Sequence, residues 1–169
     1  MRLAPLETTS LKSDGRAFAR LFFECALCSF TITRATHNRA RIMDTLKVGM
    51  KDRLEWEVTE RLTTTRGEFK VFSTPSMCQF AEMAAHKLVA PHLKPGQGQV
   101  GLTVNIRHLA PTPIGKMVRA EVELTEIDRR RLAFHVKIFD DVEQVGDVAH
   151  ERFVIDVDKY TERLRKKIG

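Results

Sequence analysis

The sequence predicts an α+β domain in which an antiparallel sheet of about five strands wraps around one long central helix. Two observations support this fold class. Residues 73–92 show helical periodicity, and five other stretches, one before them and four after them, alternate between apolar and polar residues. A helix with apolar residues round much of its circumference needs cover on several sides, and a curved sheet supplies that cover.

Composition favours one ordinary globular domain. The chain has 169 residues, of which 43% are hydrophobic and 30% charged, and no apolar run approaches the roughly 20 residues that span a bilayer. The formal charge of +6 is uneven: residues 1–42 carry seven Lys/Arg against three Asp/Glu, or +4, so residues 43–169 carry only +2. This charge distribution predicts neither a nucleic-acid partner nor a membrane partner for the main domain.

The N-terminal 42 residues fit this domain poorly. They contain an apolar patch, Phe18–Phe30, that charged residues interrupt and that no convincing cleavage site follows, which argues against a secretion signal. The Arg, Ser and Thr content leaves a transit peptide open, although three acidic residues count against it. We therefore predict a disordered or loosely helical extension over residues 1–42 and the folded domain over residues 43–169.

The three cysteines, Cys25, Cys28 and Cys78, are an odd number in a chain that needs no disulfide to fold. This usage is typical of a reducing compartment and predicts a cytoplasmic location. Cys25 and Cys28 form a lone CxxC without a second pair or a nearby His at zinc spacing. We therefore expect no metal site and no cofactor, and we interpret Cys78 as a small core residue.

The first strand is predicted around Leu54, Trp56 and Val58, which alternate with polar residues. A run of Thr, Arg and Gly over residues 63–67 then predicts a loop. Thr74 and Pro75 predict the start of the central helix, because a Thr hydroxyl caps an orphan amide and Pro costs nothing at the first helical position.

Apolar residues recur at helical spacing after this start, and Glu82 lies at the margin of their stripe. A carboxylate at a margin either extends into water or serves a function, and the helix alone favours the first interpretation. Proline and glycine residues between 91 and 98 then end the helix.

Four strands follow, with charged hairpin turns at residues 128–130 and 140–143. Their apolar faces are predicted at Val100, Leu102, Val104 and Ile106, then Val118–Leu124, Leu132–Ile138 and, less regularly, Val145–Asp156. Residues 158–167 predict a short, basic helix or tail.

His108 ends the first of these four strands. Counting by twos from Val100 places it on the same face as the aliphatic residues. A lone His on an apolar face is more often a hydrogen-bonded structural residue than a catalyst. A functional interpretation gains weight because Thr74 at the helix start, Glu82 two turns later and His108 on the covering strand could converge.

Three stretches, FSTPSMCQFAE, GLTVNIRHLAPTPIG and DVAHERFVID, resemble the hotdog-fold acyl-CoA thioesterases, in particular the group that includes fluoroacetyl-CoA thioesterase. The similarity covers roughly residues 43–169. This resemblance implies a hotdog fold and thioester hydrolysis by Thr74, Glu82 and His108, with the backbone amide of Gly101 near the carbonyl oxygen and no metal. It also implies a homodimer whose sheets join edge to edge and whose acyl pockets lie between the subunits.

The chain departs from that group ahead of Thr74. The group has a Phe-containing lid there, whereas the segment over residues 66–72 is shorter, with Glu68 at the nearest aligned place and Phe69 beside it. The sequence therefore predicts a broader acyl-CoA thioesterase rather than one specific for fluoroacetyl-CoA.

The residue types suit this chemistry on their own terms. Thioester hydrolysis needs a nucleophile or activated water, donors for the developing oxyanion and a route for protons. Glu82 can be the nucleophile or the base for water, His108 can carry a proton, and Thr74 can hydrogen-bond Glu82 or the thioester. Which group attacks first is left open by the sequence.

Two other classes stay open. A sensor or regulator of the same fold would bind acyl-CoA without turnover, and a hydratase would lack the pairing of Thr with Glu.

On the last strand, His150, Glu151 and Arg152 are interpreted either as a structural polar cluster or as contacts to the phosphates of CoA.

Overall fold

The computed structural model describes residues 45–169, so the prediction for residues 1–42 lies outside the described residues. The division into an extension and a domain stays a prediction. In chain order the elements are β1 (Lys51–Glu57), β2 (Thr63–Arg66), β3 (Phe69–Phe72), α1 (Thr74–Val89), β4 (Gln97–His108), β5 (Met117–Asp128), β6 (Arg131–Phe139), β7 (Gln144–Asp156) and α2 (Val157–Ile168), with short 3-10 turns at Glu60–Leu62 and Ala90–His92.

The main sheet is antiparallel, with five strands in the order β1-β5-β6-β7-β4. Helix α1 contacts all five strands. Its buried residues, Met77, Phe80, Ala81, Ala84, Ala85, Leu88 and Val89, form the core together with the inward rows of β5, β6 and β7. This arrangement confirms the predicted sheet wrapped around one long helix, and the two predicted hairpins join β5 to β6 and β6 to β7.

The segment predicted as a loop over residues 63–67 is the first half of a hairpin, so that prediction was wrong. Strands β2 and β3 pair antiparallel from Thr63 with Phe72 to Arg66 with Phe69. Gly67 turns the chain between them with a φ of +60°, a backbone conformation that glycine adopts without a steric penalty. The Thr residues are β-branched, and their preference for strands outweighs their polarity here.

Helix α1 begins one residue earlier than the capping prediction required. Its N-cap is Ser73, whose Oγ accepts a hydrogen bond from the backbone N–H of Ser76 at 3.3 Å, and Thr74 is the first helical residue. The prediction that Thr74 caps the helix was therefore wrong. Because Ser73 satisfies the orphan amide, the hydroxyl of Thr74 is available for another partner.

A β-bulge in β4 changes which residues of that strand face the helix. Pairing with β7 runs from Gly101 opposite Arg152 directly to Thr103 opposite Glu151, which leaves Leu102 as the extra residue. Val104 and Ile106 pack against the core as predicted.

On the other side of the bulge the prediction was wrong. Gln99 hydrogen-bonds the carbonyl of His86 in α1 at 3.1 Å, and the Cα of Gly101 also faces α1. Val100 lies between these two residues and thus points to the opposite face, and Leu102 is 51% exposed.

The C-terminal run is the basic helix α2, capped by Asp156, whose carboxylate accepts from the backbone N–H of Lys159 at 3.2 Å. Within residues 45–169, neither helix has the length and apolar content of a membrane span.

Candidate active site

Thr74 and His108 meet at the N-terminal end of α1. Thr74 Oγ1 lies 2.9 Å from His108 Nδ1, within hydrogen-bonding distance. The first turn of α1 and the last residue of β4 supply the two groups, so two regular elements fix their relative position. The expected convergence of these two residues is confirmed.

The environment of His108 keeps its imidazole neutral. Burial lowers the pKa of His108 below its usual value of 6.5, and a hydrogen bond with the backbone of Ala110 opposes this only in part. A neutral imidazole next to a hydroxyl is the arrangement of a base and the group it deprotonates. The backbone of Ala110 supplies the third group that orients the ring.

A pocket of about 670 Å³ opens beside this pair. Its wall is made by the hairpin β2–β3, the start of α1 and the segment that follows β4, residues 109–111. The lining includes four hydroxyl side chains, those of Thr63, Thr64, Ser73 and Thr74, and one guanidinium, that of Arg66. The volume falls in the range of small-molecule sites.

Glu82 belongs to a second group, two turns further along α1. Its side chain is 38% exposed, which places it at the margin of the buried face as the helical wheel predicted. The carboxylate lies hard against Gly101: a Cβ at position 101 would be 2.3 Å from Glu82 Oε1. Only a glycine permits this approach between the backbone of β4 and the carboxylate.

Two buried basic side chains of β7 lie behind this carboxylate. Arg152 Nη1 is 3.8 Å and His150 Nε2 is 3.9 Å from Glu82 Oε1. Arg152 also donates to Gln99 Oε1 at 2.7 Å and to the backbone carbonyl of Glu82 at 3.3 Å. The guanidinium therefore ties Glu82 to strand β4 and supplies its counter-charge.

His150 completes this cluster as a neutral group. Burial lowers the pKa of His150, a hydrogen bond to the Thr103 carbonyl opposes the shift, and the charge of Arg152 lowers the pKa further. Its Nδ1 is 2.7 Å from that carbonyl, so Nδ1 carries the proton and Nε2 accepts from Arg152 Nη1 at 3.2 Å. Burial also lowers the pKa of Arg152, while Glu82 raises it.

The predicted residues thus fall into two half-sites within one chain. Thr74 and Glu82 are eight residues apart on α1, or about 12 Å along the axis at 1.5 Å per residue. The structure brings Thr74 to His108 and Glu82 to Gly101. The expectation that Thr74, Glu82 and His108 converge is therefore met for one pair, and Glu82 lies elsewhere in the chain.

Sequence analysis left the roles of His150 and Arg152 open, and the structure makes them neighbours of Glu82. A signal for their burial was present, because they continue the inward row of β7 between Val148 and Val154. A His and an Arg in an apolar row need buried partners. Identifying Glu82 as one of those partners required the packing of α1 on β7.

Within the described part of the chain, no group of three or more His, Cys, Asp or Glu side chains could hold a metal ion. The expectation of chemistry without a metal or cofactor stays a prediction.

Solved structures share this fold. A structure of the fluoroacetyl-CoA thioesterase FlK superposes with a TM-score of 0.68 at 32% identity, over 73% of this chain and 98% of that one. A thioesterase superfamily member from Thermus thermophilus, 24% identical, gives a TM-score of 0.68 over 73% of this chain and 94% of the other, and shows the fold alone. The arrangement of sheet and helix defines a hotdog-fold protein of the thioesterase class.

Sequence comparison narrows the class. The profile of the family described as fluoroacetyl-CoA-specific thioesterase matches residues 55–158. A fluoroacetyl-CoA thioesterase from Streptantibioticus cattleyicolor is 37% identical over 98 residues, which make up 58% of this chain and 70% of the relative. The chain belongs to the fluoroacetyl-CoA-specific thioesterase family.

Proposed function

We propose that this protein hydrolyses the thioester bond of an acyl-CoA to a free acid and CoA. The observation that carries the proposal is the contact between Thr74 and a neutral His108 beside a pocket of about 670 Å³. The family and its relatives, which are named as fluoroacetyl-CoA thioesterases, support the same reaction. The protein is an acyl-CoA thioesterase.

The Thr74–His108 pair performs the first step. Nδ1 of neutral His108 takes the proton of the Thr74 hydroxyl as Oγ1 attacks the thioester carbon. The C–S bond then breaks, and His108 returns the proton to the CoA thiolate, which leaves an acyl ester on Thr74. A positioned base of this kind typically contributes on the order of 10² to 10⁴ in rate.

Glu82 and Gly101 serve the second step. The Glu82 carboxylate is the base for the water that hydrolyses the acyl ester. The backbone amide of Gly101 is a donor for the oxyanion in both steps, and one such donor typically contributes about 10² to 10³. Replacing Glu82 by Gln is expected to slow turnover by about 10² or more without unfolding the protein.

We propose that the two half-sites are joined in a homodimer. Strand β4 is an edge of the sheet and carries both Gly101 and His108. With Leu102 as the extra residue, antiparallel pairing of β4 with a second copy, centred on Asn105, sets Gly101 of one subunit opposite His108 of the other. Each site then combines Thr74 and His108 of one chain with Glu82 and Gly101 of its partner.

Subunit complementation tests this arrangement. The variants Thr74→Ala and Glu82→Gln are each expected to be nearly inactive. In their mixed dimer, one site would carry both substitutions and the other neither, so mixing restores up to half of the wild-type rate per heterodimer. If the mixture stays inactive although heterodimers form by mass spectrometry, the two half-sites do not combine across subunits.

Three further parts of the proposal concern range and setting. The absence of a Phe at position 68 supports activity on several acyl-CoAs rather than on fluoroacetyl-CoA alone. The reaction needs no metal or cofactor, and the enzyme works in the cytoplasm. Thiol release from a panel of acyl-CoAs tests the function directly, since a non-catalytic sensor of the same fold would bind acyl-CoA and release no thiol.

A further inference from the structure

The pocket beside Thr74 and His108 carries a positive charge that neither of these residues supplies. Arg66, near the tip of the hairpin β2–β3, is the one charged side chain among the residues that line this pocket, because burial keeps His108 neutral. The other lining residues are hydroxyl-bearing, aliphatic, aromatic or proline residues.

The guanidinium of Arg66 is held in place without a counter-charge. Its Nη1 donates to the Thr65 carbonyl at 2.9 Å and to Thr64 Oγ1 at 3.2 Å. Within residues 45–169 no carboxylate forms an ion pair with Arg66, whereas Lys70 on the opposite strand of the hairpin pairs with Glu60. Arg66 is thus an exposed cation that is hydrogen-bonded within its own hairpin and has no ion-pair partner among residues 45–169.

The hairpin sets the distance between this cation and the reacting hydroxyl. Its base is tied to the start of α1, because Thr63 pairs with Phe72 and the Ser73 amide donates to the Leu62 carbonyl at 2.9 Å. Arg66 lies three residues beyond Thr63, or about 10 Å along the strand at 3.3 Å per residue. A group bound by Arg66 therefore lies away from the thioester carbon, so the contact affects binding rather than bond breaking.

We propose that Arg66 is a substrate-binding residue that pairs with an anionic oxygen group of the acyl-CoA. Guanidinium groups bind carboxylate and phosphate oxygens with paired, charge-assisted hydrogen bonds. Two parts of an acyl-CoA carry such oxygens: a carboxylate at the far end of the acyl chain, and the phosphates of CoA. The inference rests on the proposed function and adds a selectivity for charge to it.

Matched substrates distinguish these sources. We would measure kcat and KM for valeryl-CoA and glutaryl-CoA, which have five acyl carbons without and with a terminal carboxylate. The corresponding N-acetylcysteamine thioesters lack the phosphates. Each substrate is tested with the wild type, with Arg66→Gln, and with Arg61→Gln, a control that removes an exposed charge nearby but outside the pocket lining.

Arg66→Gln is expected to raise KM roughly tenfold for substrates that carry the recognised group and to leave kcat unchanged, since one charge-assisted contact is lost. A loss confined to both glutaryl thioesters assigns the group to the acyl carboxylate. A loss confined to both CoA thioesters assigns it to a phosphate. An equal loss for all four substrates, no loss, or the same loss in Arg61→Gln overturns the proposal.

Binding measurements test the role of Arg66 independently of the proposed hydrolysis. Isothermal titration of thioether analogues, in which the scissile carbonyl is replaced by a methylene, reports on Arg66 without turnover. Hydrolysis by the wild type with no effect of Arg66→Gln on KM or on binding would refute only the role of Arg66. A wild type that hydrolyses no thioester would refute the proposed function, while a tenfold weaker titration of the variant would still support the anion contact.

Discussion

The close approach of Glu82 to Gly101 makes Gly101→Ala a sharp test of the site. The added Cβ would lie 2.3 Å from Glu82 Oε1, whereas ordinary contact begins at 3.4 Å, so the carboxylate must retreat by about 1 Å. The atom that moves is the end of a flexible side chain, so the fold loses little. A misplacement of about 1 Å at a reacting group can cost roughly 10² in rate.

We therefore expect Gly101→Ala to lower kcat by about 10- to 100-fold while the thermal midpoint changes little. The assay is steady-state thiol release from one acyl-CoA, with a thermal melt of each variant. Gly98→Ala is the matched control, because it adds a methyl group to the same strand near Val157 and Ile155 rather than near Glu82. An unchanged kcat in Gly101→Ala would show that the position of the carboxylate is not needed for turnover.

A double-mutant cycle tests whether the contact with Glu82 causes the loss of activity in Gly101→Ala. Glu82→Asp removes one methylene and withdraws the carboxylate from position 101. If the contact is the cause, the losses from Gly101→Ala and Glu82→Asp are not additive, and the double variant is more active than the product of the two single effects predicts. Strictly multiplicative losses would locate the effect of Gly101→Ala elsewhere, for example in its own backbone amide.

Four further outcomes follow from the structure. In the proposed mechanism neutral His108 is the base, and burial lowers its pKa, so the acid limb of kcat/KM should lie below pH 6.5; a limb above that value would contradict the environment described for this ring. His108 and His150 stay neutral in the folded state while the unfolded chain binds protons near pH 6.5, so the free energy of unfolding measured in urea should fall as the pH drops below 6.5, and less steeply in His150→Gln. Ser73→Ala should cost about 1 kcal/mol of stability through the lost N-cap, with the midpoint of urea unfolding as the measure and Ser76→Ala, which leaves the amide acceptor in place, as the control. If β4 is the dimer edge, Leu102→Asp should lower the molar mass measured by light scattering towards that of a monomer, because it places a charge on that edge strand. An unchanged mass would argue for another interface.

Sequence periodicity correctly predicted the elements that keep a single period along their length, whether the two-residue period of a strand or the 3.6-residue period of a helix. The row Leu132, Phe134, Val136 and Ile138 is buried as alternation predicts, and the apolar stripe of α1 faces the sheet. These patterns succeed because burial of apolar surface dominates the energetics of regular elements. The proximity of Thr74 and His108 could be predicted for the same reason, since one starts a helix and the other ends a strand.

The features that alternation missed are local exceptions to it. The bulge at Leu102 adds one residue that no apolar pattern marks, and so the inward face of β4 was assigned wrongly before that position. The N-cap was assigned to Thr74 because Ser73 and Thr74 are both good caps and only the backbone geometry separates them. The separation of Glu82 from Thr74 follows from the helical rise, which the sequence does contain.

The bulge also determines which insertions and deletions the site can tolerate. Gly101 and His108 are seven positions apart, and an odd spacing on an unbroken strand would direct them to opposite faces. The extra residue at Leu102 places Gly101 and His108 on the same face of β4. Their common orientation therefore depends on the number of residues between them and on the bulge. Removing a residue other than Leu102 while the bulge is kept would turn Gly101 or His108 away from α1, whereas removing Leu102 leaves an even spacing on an unbroken strand and keeps both on one face. Relatives that keep both residue types and the bulge but differ by one position elsewhere in this interval should therefore lose the reaction.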